Sequence, residues 1–363
     1  IAPWCDSGIC EMTASVVSAP PLDLDRLGAW LQAEVRGFRG LREAQRLIGG
    51  NSNPIWQLRA DSGCYILRTQ PAGQLLKSAH ALDRESRLVT TLHGTAVPVP
   101  KIHVLCNDLD IVGVQFYLMD FIEGRVHRHV GLPELPTGRR RAVYASAIDS
   151  LAAIHRTDID ALGPADFGRP GNYFERQFHR WCQQYRTAMP EGDPEMERLI
   201  AALEHTMPHG AHRAVLLHGD SRLDNLMFAA DEEAAPRVIA VLDWELSTLG
   251  HPLADLGQFL AVQSLPADYL LPGLAGVDRP AQGLPSEAEL RERYFRAMGE
   301  SPVADLRFFK AFAMFRQAAM SAGLRRRAAL GTAVAESALH FGNTMAVFAR
   351  VGLDILDRPG RSD

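Results

Sequence analysis

One change of pattern, near Gly124, constrains the fold of this chain more than any other feature of its sequence. The part before it contains short runs of strand-forming residues, at 45–48, 55–59, 65–68, 97–105 and 116–122. Helical segments accompany these runs at 22–35 and 78–93. Pro98 and Pro100 indicate that any strand at 97–105 is interrupted or lies at a sheet edge. We therefore predict a small lobe, residues 20–123, in which an antiparallel sheet packs against a helix.

The part after Gly124 predicts a second and different lobe, residues 124–357. Its long helical segments lie at 137–156, 173–189, 194–207, 286–298, 304–329 and 332–351. Between them, two short apolar runs, 214–217 and 238–242, each end in a polar cluster, and we expect these runs to pair beside each other. The whole chain is thus predicted to have an α+β fold with a sheet-containing lobe and a mainly helical lobe.

The composition excludes several classes of partner. The chain has 363 residues, 47% of them hydrophobic, and a formal net charge of -5. Because no basic excess is available to neutralise a phosphate backbone, we expect no nucleic-acid partner. No apolar run is long enough to span a bilayer, and the first residues lack the pattern of a signal peptide, so we expect no membrane partner. Residues 1–11, which precede Met12, are left out of the fold prediction, and no pattern predicts an oligomeric state.

The cysteines indicate the cellular compartment, and the lysines limit which kind of phosphate-binding site the chain can form. The five cysteines are scattered and include no C-x-x-C pair, which is typical of reduced thiols in a cytoplasmic protein. The lysines are Lys77, Lys101 and Lys310, and none follows a glycine, so a Walker-type Gly-Lys-Ser/Thr loop is excluded. Any phosphate site must therefore use arginine, backbone N–H groups or a metal ion.

The apolar runs 214–217 and 238–242, with the polar clusters that follow them, are called the β-rich island below. These polar clusters have the composition that phosphoryl transfer requires. The first reads His218-Gly219-Asp220-Ser221-Arg222-Leu223-Asp224-Asn225, and the second follows the next apolar run as Asp243-Trp244-Glu245. Phosphoryl transfer needs a carboxylate for the attacking hydroxyl, oxygen ligands for Mg²⁺ and positive charge near the phosphate. Asp220 follows one apolar run directly, and Asp243 follows the other. We expect a short loop to bring the amide of Asn225 back towards Asp220.

The pattern H-G-D-x-x-x-x-N, followed by a strand that ends in aspartate, resembles the catalytic core of the aminoglycoside phosphotransferase family, which is similar to protein kinases. The stretch 239–256 is especially similar to the kinase-like domain that precedes certain acyl-CoA dehydrogenases. The resemblance implies a protein-kinase-like two-lobe fold that binds ATP and Mg²⁺ between the lobes. It also implies roles for six residues: Asp220 as catalytic base, Arg222 in place of the kinase catalytic-loop lysine, Asn225 and Asp243 as Mg²⁺ ligands, and Asp255 and His218 as supports of the catalytic loop.

The small lobe contains a predicted ion pair. In the helical segment 78–93, Glu85 falls on the apolar face that Leu82 and Val89 define by their spacing. A carboxylate that points inward is costly unless a cation meets it, and Arg68 at the end of a preceding strand is the natural partner. The resemblance implies the same pair as the cation that holds the α- and β-phosphates and the helix glutamate that fixes it. The family usually has lysine at this strand position, so Arg68 is a departure; Lys77 is the weaker alternative.

The remaining nucleotide-binding residues are implied by the resemblance. The turn Gly49-Gly50-Asn51-Ser52-Asn53 lies where the family has its phosphate-covering loop, with Ser52 and Asn53 as phosphate contacts. The segment Met119–Gly124 resembles the kinase hinge, so the Asp120 carbonyl and the Ile122 N–H are the implied adenine contacts.

Each residue also has a simpler interpretation. Asp220 and Asn225 are common in turns, Asp243 could cap a helix, Ser52 and Asn53 could form only a hairpin turn, and Arg222 could pair with a surface carboxylate. We predict an ATP- and Mg²⁺-dependent phosphotransferase that acts on a hydroxyl of a small molecule, which is either aminoglycoside-like or a hydroxyacyl-CoA. The alternative is a nucleotide-binding regulatory module that transfers nothing. Arg68 is the feature that keeps this alternative open.

Overall fold

The structure, a computed structural model, describes most of the chain from residue 22 to residue 358. The described ranges are 22–47, 53–71, 79–163, 171–208, 210, 213–231, 233–303, 305–329 and 344–358, with the side chains of 79–81 left out. Among these residues no helix is both long enough and apolar enough to cross a membrane.

The N-terminal part is a five-stranded antiparallel sheet with order β1-β2-β3-β5-β4. Its strands are β1 Leu41–Leu47, β2 Ile55–Ala60, β3 Gly63–Thr69, β4 Ile102–Cys106 and β5 Phe116–Asp120, and its helices are α1 Leu24–Glu34, α2 Ala79–Leu92 and the short α3 Leu109–Val112. β1 begins earlier than the sequence predicts. β4 begins only after Pro100 and lies at the sheet edge, as the two prolines indicate.

A small apolar core joins α1 to this sheet. Leu27 and Leu31, one helical turn apart, are fully buried against Leu58, Leu67 and Phe116 of the strands. The period of the helix therefore matches the inward face of the sheet.

The remaining chain is mainly helical and surrounds the β-rich island. Its elements are β6 Arg125–Val126, α4 Thr137–His155, α5 Tyr173–Ala188, α6 Pro194–His205, β7 Val215–Leu217, β8 Leu226–Phe228, β9 Val238–Val241, β10 Thr248–Gly250, α7 Leu253–Val262, α8 Glu287–Met298, α9 Arg307–Ala329 and α10 Met345–Asp357. The larger apolar core lies here, with α7 and α10 packed along the long α9. The helix expected at 332–351 is observed only as α10, because residues 330–343 lie outside the described part. The predicted α+β fold, with an antiparallel sheet followed by a helical part, is confirmed.

The expected pairing of the two apolar runs of the island is wrong. β7 pairs with β10, whereas β9 pairs with β8, and β8 in turn pairs with β6. The runs are too short to show their partners by alternation, and strands that were not recognised in the sequence, β8 and β10, take the neighbouring positions. The two polar clusters still meet, because the β8–β9 pair sets Leu226 opposite Val241 and so brings Asn225 and Asp243 to the same end.

Candidate active site

The loop after β7 carries Asp220 in a constrained backbone. Gly219 has φ +83°, and a Cβ atom at this position would lie 2.2 Å from the carbonyl oxygen of Leu246. Only glycine combines this left-handed conformation with such a close approach. The side chain of Asp220 is held directly after this turn and keeps 19% of its surface exposed. The loop therefore presents one rigid, partly exposed carboxylate.

Asn225 ties the far end of the loop back to Asp220. Its Nδ2 donates to the Asp220 carbonyl oxygen at 2.8 Å and lies 3.1 Å from Asp220 Oδ2. The Leu242 N–H donates to the Asn225 carbonyl oxygen at 2.9 Å, which fixes the approach of Asp243. Asp243 has φ +65°, an unusual conformation for a non-glycine residue, and 40% of its side chain is exposed. The amide of Asn225 and two carboxylates thus line one end of the β8–β9 pair.

Asp255 supports the loop that carries Asp220 from the first turn of α7. It is fully buried and accepts hydrogen bonds from the His218 N–H at 2.7 Å and the Gly219 N–H at 3.0 Å. Burial by itself would raise the pKa of Asp255, but the hydrogen bond from His155, with the His218 contacts, outweighs it and lowers the pKa. The His218 Nε2 atom lies 2.7 Å from the Leu242 carbonyl oxygen, so this ring links the two polar clusters.

Arg222 lies between two carboxylates of its own loop. Its Nε is 3.4 Å from Asp220 Oδ2, and its Nη2 is 3.2 Å from Asp224 Oδ2. Burial would lower the pKa of Arg222, but the charges of Asp220 and Asp224 raise it instead. The predicted cation is therefore beside Asp220, and Asp224 is a further partner that the sequence did not single out.

Arg68 of β3 meets three carboxylates. Its Nε is 3.2 Å from Glu85 Oε2, and its Nη2 is 2.8 Å from Asp243 Oδ1 and 3.5 Å from Glu245 Oε2. The predicted proximity of Arg68 and Glu85 is present, and both side chains are buried, at 7% and 3% exposure. Burial raises the pKa of Glu85 to about 7, against the opposing charge of Arg68. Tyr117, opposite Arg68 in the sheet, hydrogen-bonds Glu85.

The other predicted nucleotide residues belong to the sheet and to its connections. The Asn53 Nδ2 donates to Glu245 Oε2 at 3.0 Å, whereas Ser52 lies outside the described residues. Asp120 ends β5 with Oδ1 2.6 Å from His103 Nε2, and Ile122 follows in the connection to β6. The structure thus connects the sheet to the island through Glu245.

Three further contact residues were missed by the sequence analysis. Glu245 stands two positions after Asp243, and this position within the motif was the available signal. His103 and Arg316 had no signal, since each reaches its partner only in the fold. The Arg316 Nη2 donates to the Gly219 carbonyl oxygen at 2.8 Å from helix α9, so the loop is held from this side also.

A pocket opens beside the catalytic loop on the helical side. Arg128, Arg222 and Asp224 supply its charged groups, and Gln317 of α9 supplies an amide. The apolar wall comes from several helices and consists of Val130, Tyr144, Leu223, Phe259, Val262, Leu265, Leu271, Pro272, Met314 and Phe348. The arrangement suits a ligand with one polar and one apolar part. No group of three or more His, Cys, Asp or Glu side chains that could hold a metal ion occurs in the described ranges.

Comparison with known proteins gives matches along most of the chain. The model of the phosphotransferase enzyme family (APH) matches residues 43–309. Acyl-CoA dehydrogenase family member 10 of Mus musculus is 38% identical over 322 residues, which are 88% of this chain and 30% of that protein. The chain spans less than half the length of the curated relatives it matches.

Solved structures give the same picture for the fold. A candidate aminoglycoside phosphotransferase from Ralstonia eutropha superposes with a TM-score of 0.81 at 38% identity, and the match covers 93% of this chain and 98% of that one. A thermostable mutant of aminoglycoside phosphotransferase APH(4)-Ia, in a ternary complex with ADP and hygromycin B, superposes with a TM-score of 0.57 at 16% identity, covering 87% and 94%. The second likeness concerns the fold alone.

Proposed function

The chain belongs to the phosphotransferase enzyme family, and from this membership we propose that it transfers the γ-phosphate of ATP to a hydroxyl group of a small molecule. The observation that carries the proposal is the meeting of Asp220, Asn225 and Asp243 at one end of the β8–β9 pair, beside the cations of Arg68 and Arg222. This set supplies a base, metal ligands and positive charge in one cleft.

The donor set fits a magnesium ion. Asn225 directs its Nδ2 to Asp220, which leaves its Oδ1 free as a neutral oxygen ligand. Asp243 adds a partly exposed carboxylate. Mg²⁺ is usually held by one or two protein groups, with phosphate oxygens and water completing the shell, and so two protein ligands suffice. When bound, the ion would neutralise charge on the phosphate oxygens.

The chain's own residues would perform the remaining steps. Asp220 accepts the proton of the acceptor hydroxyl as its oxygen forms a bond to the γ-phosphorus, and the bond from that phosphorus to the leaving ADP oxygen breaks. Asn225 keeps the Asp220 carboxylate oriented through its Nδ2. Arg222 and Arg68 stabilise negative charge on the phosphate oxygens. Most of the rate enhancement then comes from positioning and from fixed charge.

For the acceptor we propose a hydroxyacyl group, presented as its CoA ester. The pocket beside Asp224 combines a wide apolar wall with Arg128 and Arg222, a lining that suits an apolar chain next to an anionic group. A polycationic aminoglycoside would meet two arginines there. The relatives that match this chain over part of their length are named as acyl-CoA dehydrogenase family members. Their names connect them with acyl-CoA esters, which supports the same choice of acceptor.

The test is a phosphate-transfer assay with a matched control. Purified protein is incubated with Mg²⁺, ATP and either short- and medium-chain hydroxyacyl-CoA esters or aminoglycosides, and mass spectrometry detects the gain of one phosphate. Asp220→Asn is expected to lower kcat by at least about 10²-fold with ATP affinity retained. Asp25→Asn, an exposed carboxylate on α1, should leave both unchanged.

Two outcomes would contradict the proposal. Wild-type turnover by Asp220→Asn would remove Asp220 as the base. Nucleotide-dependent thermal stabilisation without any phosphorylated product would favour the nucleotide-binding regulatory module. Phosphorylation of aminoglycosides alone would overturn only the choice of acceptor.

A further inference from the structure

A buried chain of hydrogen bonds runs from helix α8 to the catalytic loop. The Tyr294 hydroxyl lies 2.6 Å from His155 Nδ1, and His155 Nε2 lies 3.4 Å from Asp255 Oδ2. Tyr294 is 1% exposed, and His155 and Asp255 are 0% exposed. The chain ends on the His218 and Gly219 N–H groups that Asp255 holds. A tyrosine on a helix with no proposed catalytic group is therefore connected to the residue before Asp220.

The donors and acceptors of this chain can be assigned. The Asp255 carboxylate, whose pKa is lowered, only accepts hydrogen bonds, so the proton that faces it must be on His155 Nε2. A neutral imidazole with that proton has Nδ1 as an acceptor, and the Tyr294 hydroxyl can donate to it. If both ring nitrogens carried protons, the Tyr294 hydroxyl proton would have no acceptor among the described residues. Asp255 therefore selects the Nε2–H tautomer, and Tyr294 donates to the Nδ1 lone pair that this tautomer leaves.

We propose that Tyr294 and His155 are positioning residues for phosphoryl transfer, in which the Tyr294 hydroxyl holds the His155 ring in the orientation that directs its Nε2–H to Asp255, so that Asp255 keeps the catalytic loop in place. This role rests on the function proposed above. Without the Tyr294 hydroxyl, His155 Nδ1 would lose its hydrogen-bond donor, and the ring could turn away from the Asp255 carboxylate. The carboxylate would shift on Gly219, whose left-handed backbone precedes Asp220 directly. Partners that orient a metal-bound histidine are typically worth about 10–100-fold, and we expect the lower end of that range for this histidine, which binds no metal.

The experiment compares Tyr294→Phe with Tyr185→Phe. Tyr185 is also fully buried in the helical part, and its hydroxyl accepts the Asp193 N–H at 2.6 Å. We expect Tyr294→Phe to lower kcat by roughly tenfold, with the KM for ATP little changed. Tyr185→Phe should leave kcat unchanged.

A second variant separates this role from a general loss of stability. His155→Gln presents an amide that can donate to Asp255. In that background Tyr294→Phe should have little further effect on kcat, because the imidazole that Tyr294 orients is absent. Additive losses in the double variant, or an unchanged kcat in Tyr294→Phe, would overturn the proposal.

An independent readout distinguishes this proposal from the proposed function. The ¹⁵N chemical shifts of histidine side chains report which ring nitrogen carries the proton, and His155→Gln identifies the signal. Wild type should show the Nε2–H form, and Tyr294→Phe should keep this form with a changed Nδ1 shift that reports the lost hydrogen bond. If wild type shows Nε2–H but transfers no phosphate, the function fails while the hydrogen-bond order stands. If wild type is active and its His155 carries Nδ1–H, the positioning role fails alone.

Discussion

Replacing Arg68 by methionine tests the buried ion pair on which the proposed nucleotide site depends. The change removes the cation from three carboxylates whose exposures differ: Glu85 is 3% exposed, Glu245 is 24% and Asp243 is 40%. Asp243 and Glu245 can regain water, but Glu85 cannot. A buried charge left without its partner costs about 3–5 kcal/mol, so we expect a loss of this size in the free energy of unfolding.

The same variant has a pH dependence whose sign follows from Glu85. The folded-state pKa of Glu85, about 7, is above its ordinary value of 4.5, so its contribution to stability is full below that value and is lost as pH rises through the folded pKa. Without Arg68 the folded pKa rises further. The cost of Arg68→Met should therefore be larger at pH 8 than at pH 6, by about 1 kcal/mol.

Urea unfolding without nucleotide, followed by tryptophan fluorescence at both pH values, measures these effects. Arg42→Met is the control, because the Arg42–Asp61 pair has a 2.7 Å contact but is 70% and 47% exposed and should contribute little. Adding Glu85→Gln to Arg68→Met should restore most of the stability and remove the extra pH dependence. The reasoning is refuted if Arg68→Met costs no more than Arg42→Met, or if Glu85→Gln restores nothing.

Two further substitutions test the support of the catalytic loop. Gly219→Ala should cost about 1–3 kcal/mol of stability and most of the activity. Gly113→Ala is the control, because Gly113 has the same φ of +83° but a Cβ there would meet nothing within 4 Å, so it should cost less stability and leave kcat unchanged. Equal losses of stability in urea unfolding would show that the Leu246 contact is unimportant. Asp255→Asn should cost about 3 kcal/mol or more at neutral pH. Because the pKa of Asp255 is lowered in the folded state, its contribution to stability is present above the ordinary value of 3.8 and is lost as pH falls through the folded pKa. Asp255→Asn should therefore lose less stability in acid than at neutral pH. Thermal unfolding from about pH 2 to pH 7 measures this, and a stability loss that does not change with pH would show that the inference is wrong.

Local patterns in the sequence predicted much of the site. The catalytic loop was recognisable because Asp220 and Asn225 are five residues apart and their contact is a property of one short loop. The position of Glu85 followed from helical spacing, since a carboxylate on an apolar face requires a cation. The strands of the small sheet followed from short runs of strand-forming residues.

Other contacts could not be obtained from spacing. The pairing of β7 with β10 was missed because both strands have only three residues, too few to show alternation or register. Arg316 reaches Gly219 across 97 residues, and Tyr294 reaches His155 across 139. Each of these residues sits in a helix where its spacing is ordinary.

The sequence by itself determined which residues are the candidates for metal ligand, base and phosphate-binding cation, and that they belong to a sheet followed by helices. Those properties are set by side-chain chemistry and by periods of two to four residues, which act locally. The tertiary structure alone decided that Arg68 contacts Asp243, 175 residues away in the sequence. It also decided that the Tyr294 hydroxyl contacts His155, which in turn contacts Asp255. Such contacts depend on how whole helices and strands pack. A buried polar side chain needs a hydrogen-bond partner, and that partner can come from any part of the chain that packs beside it.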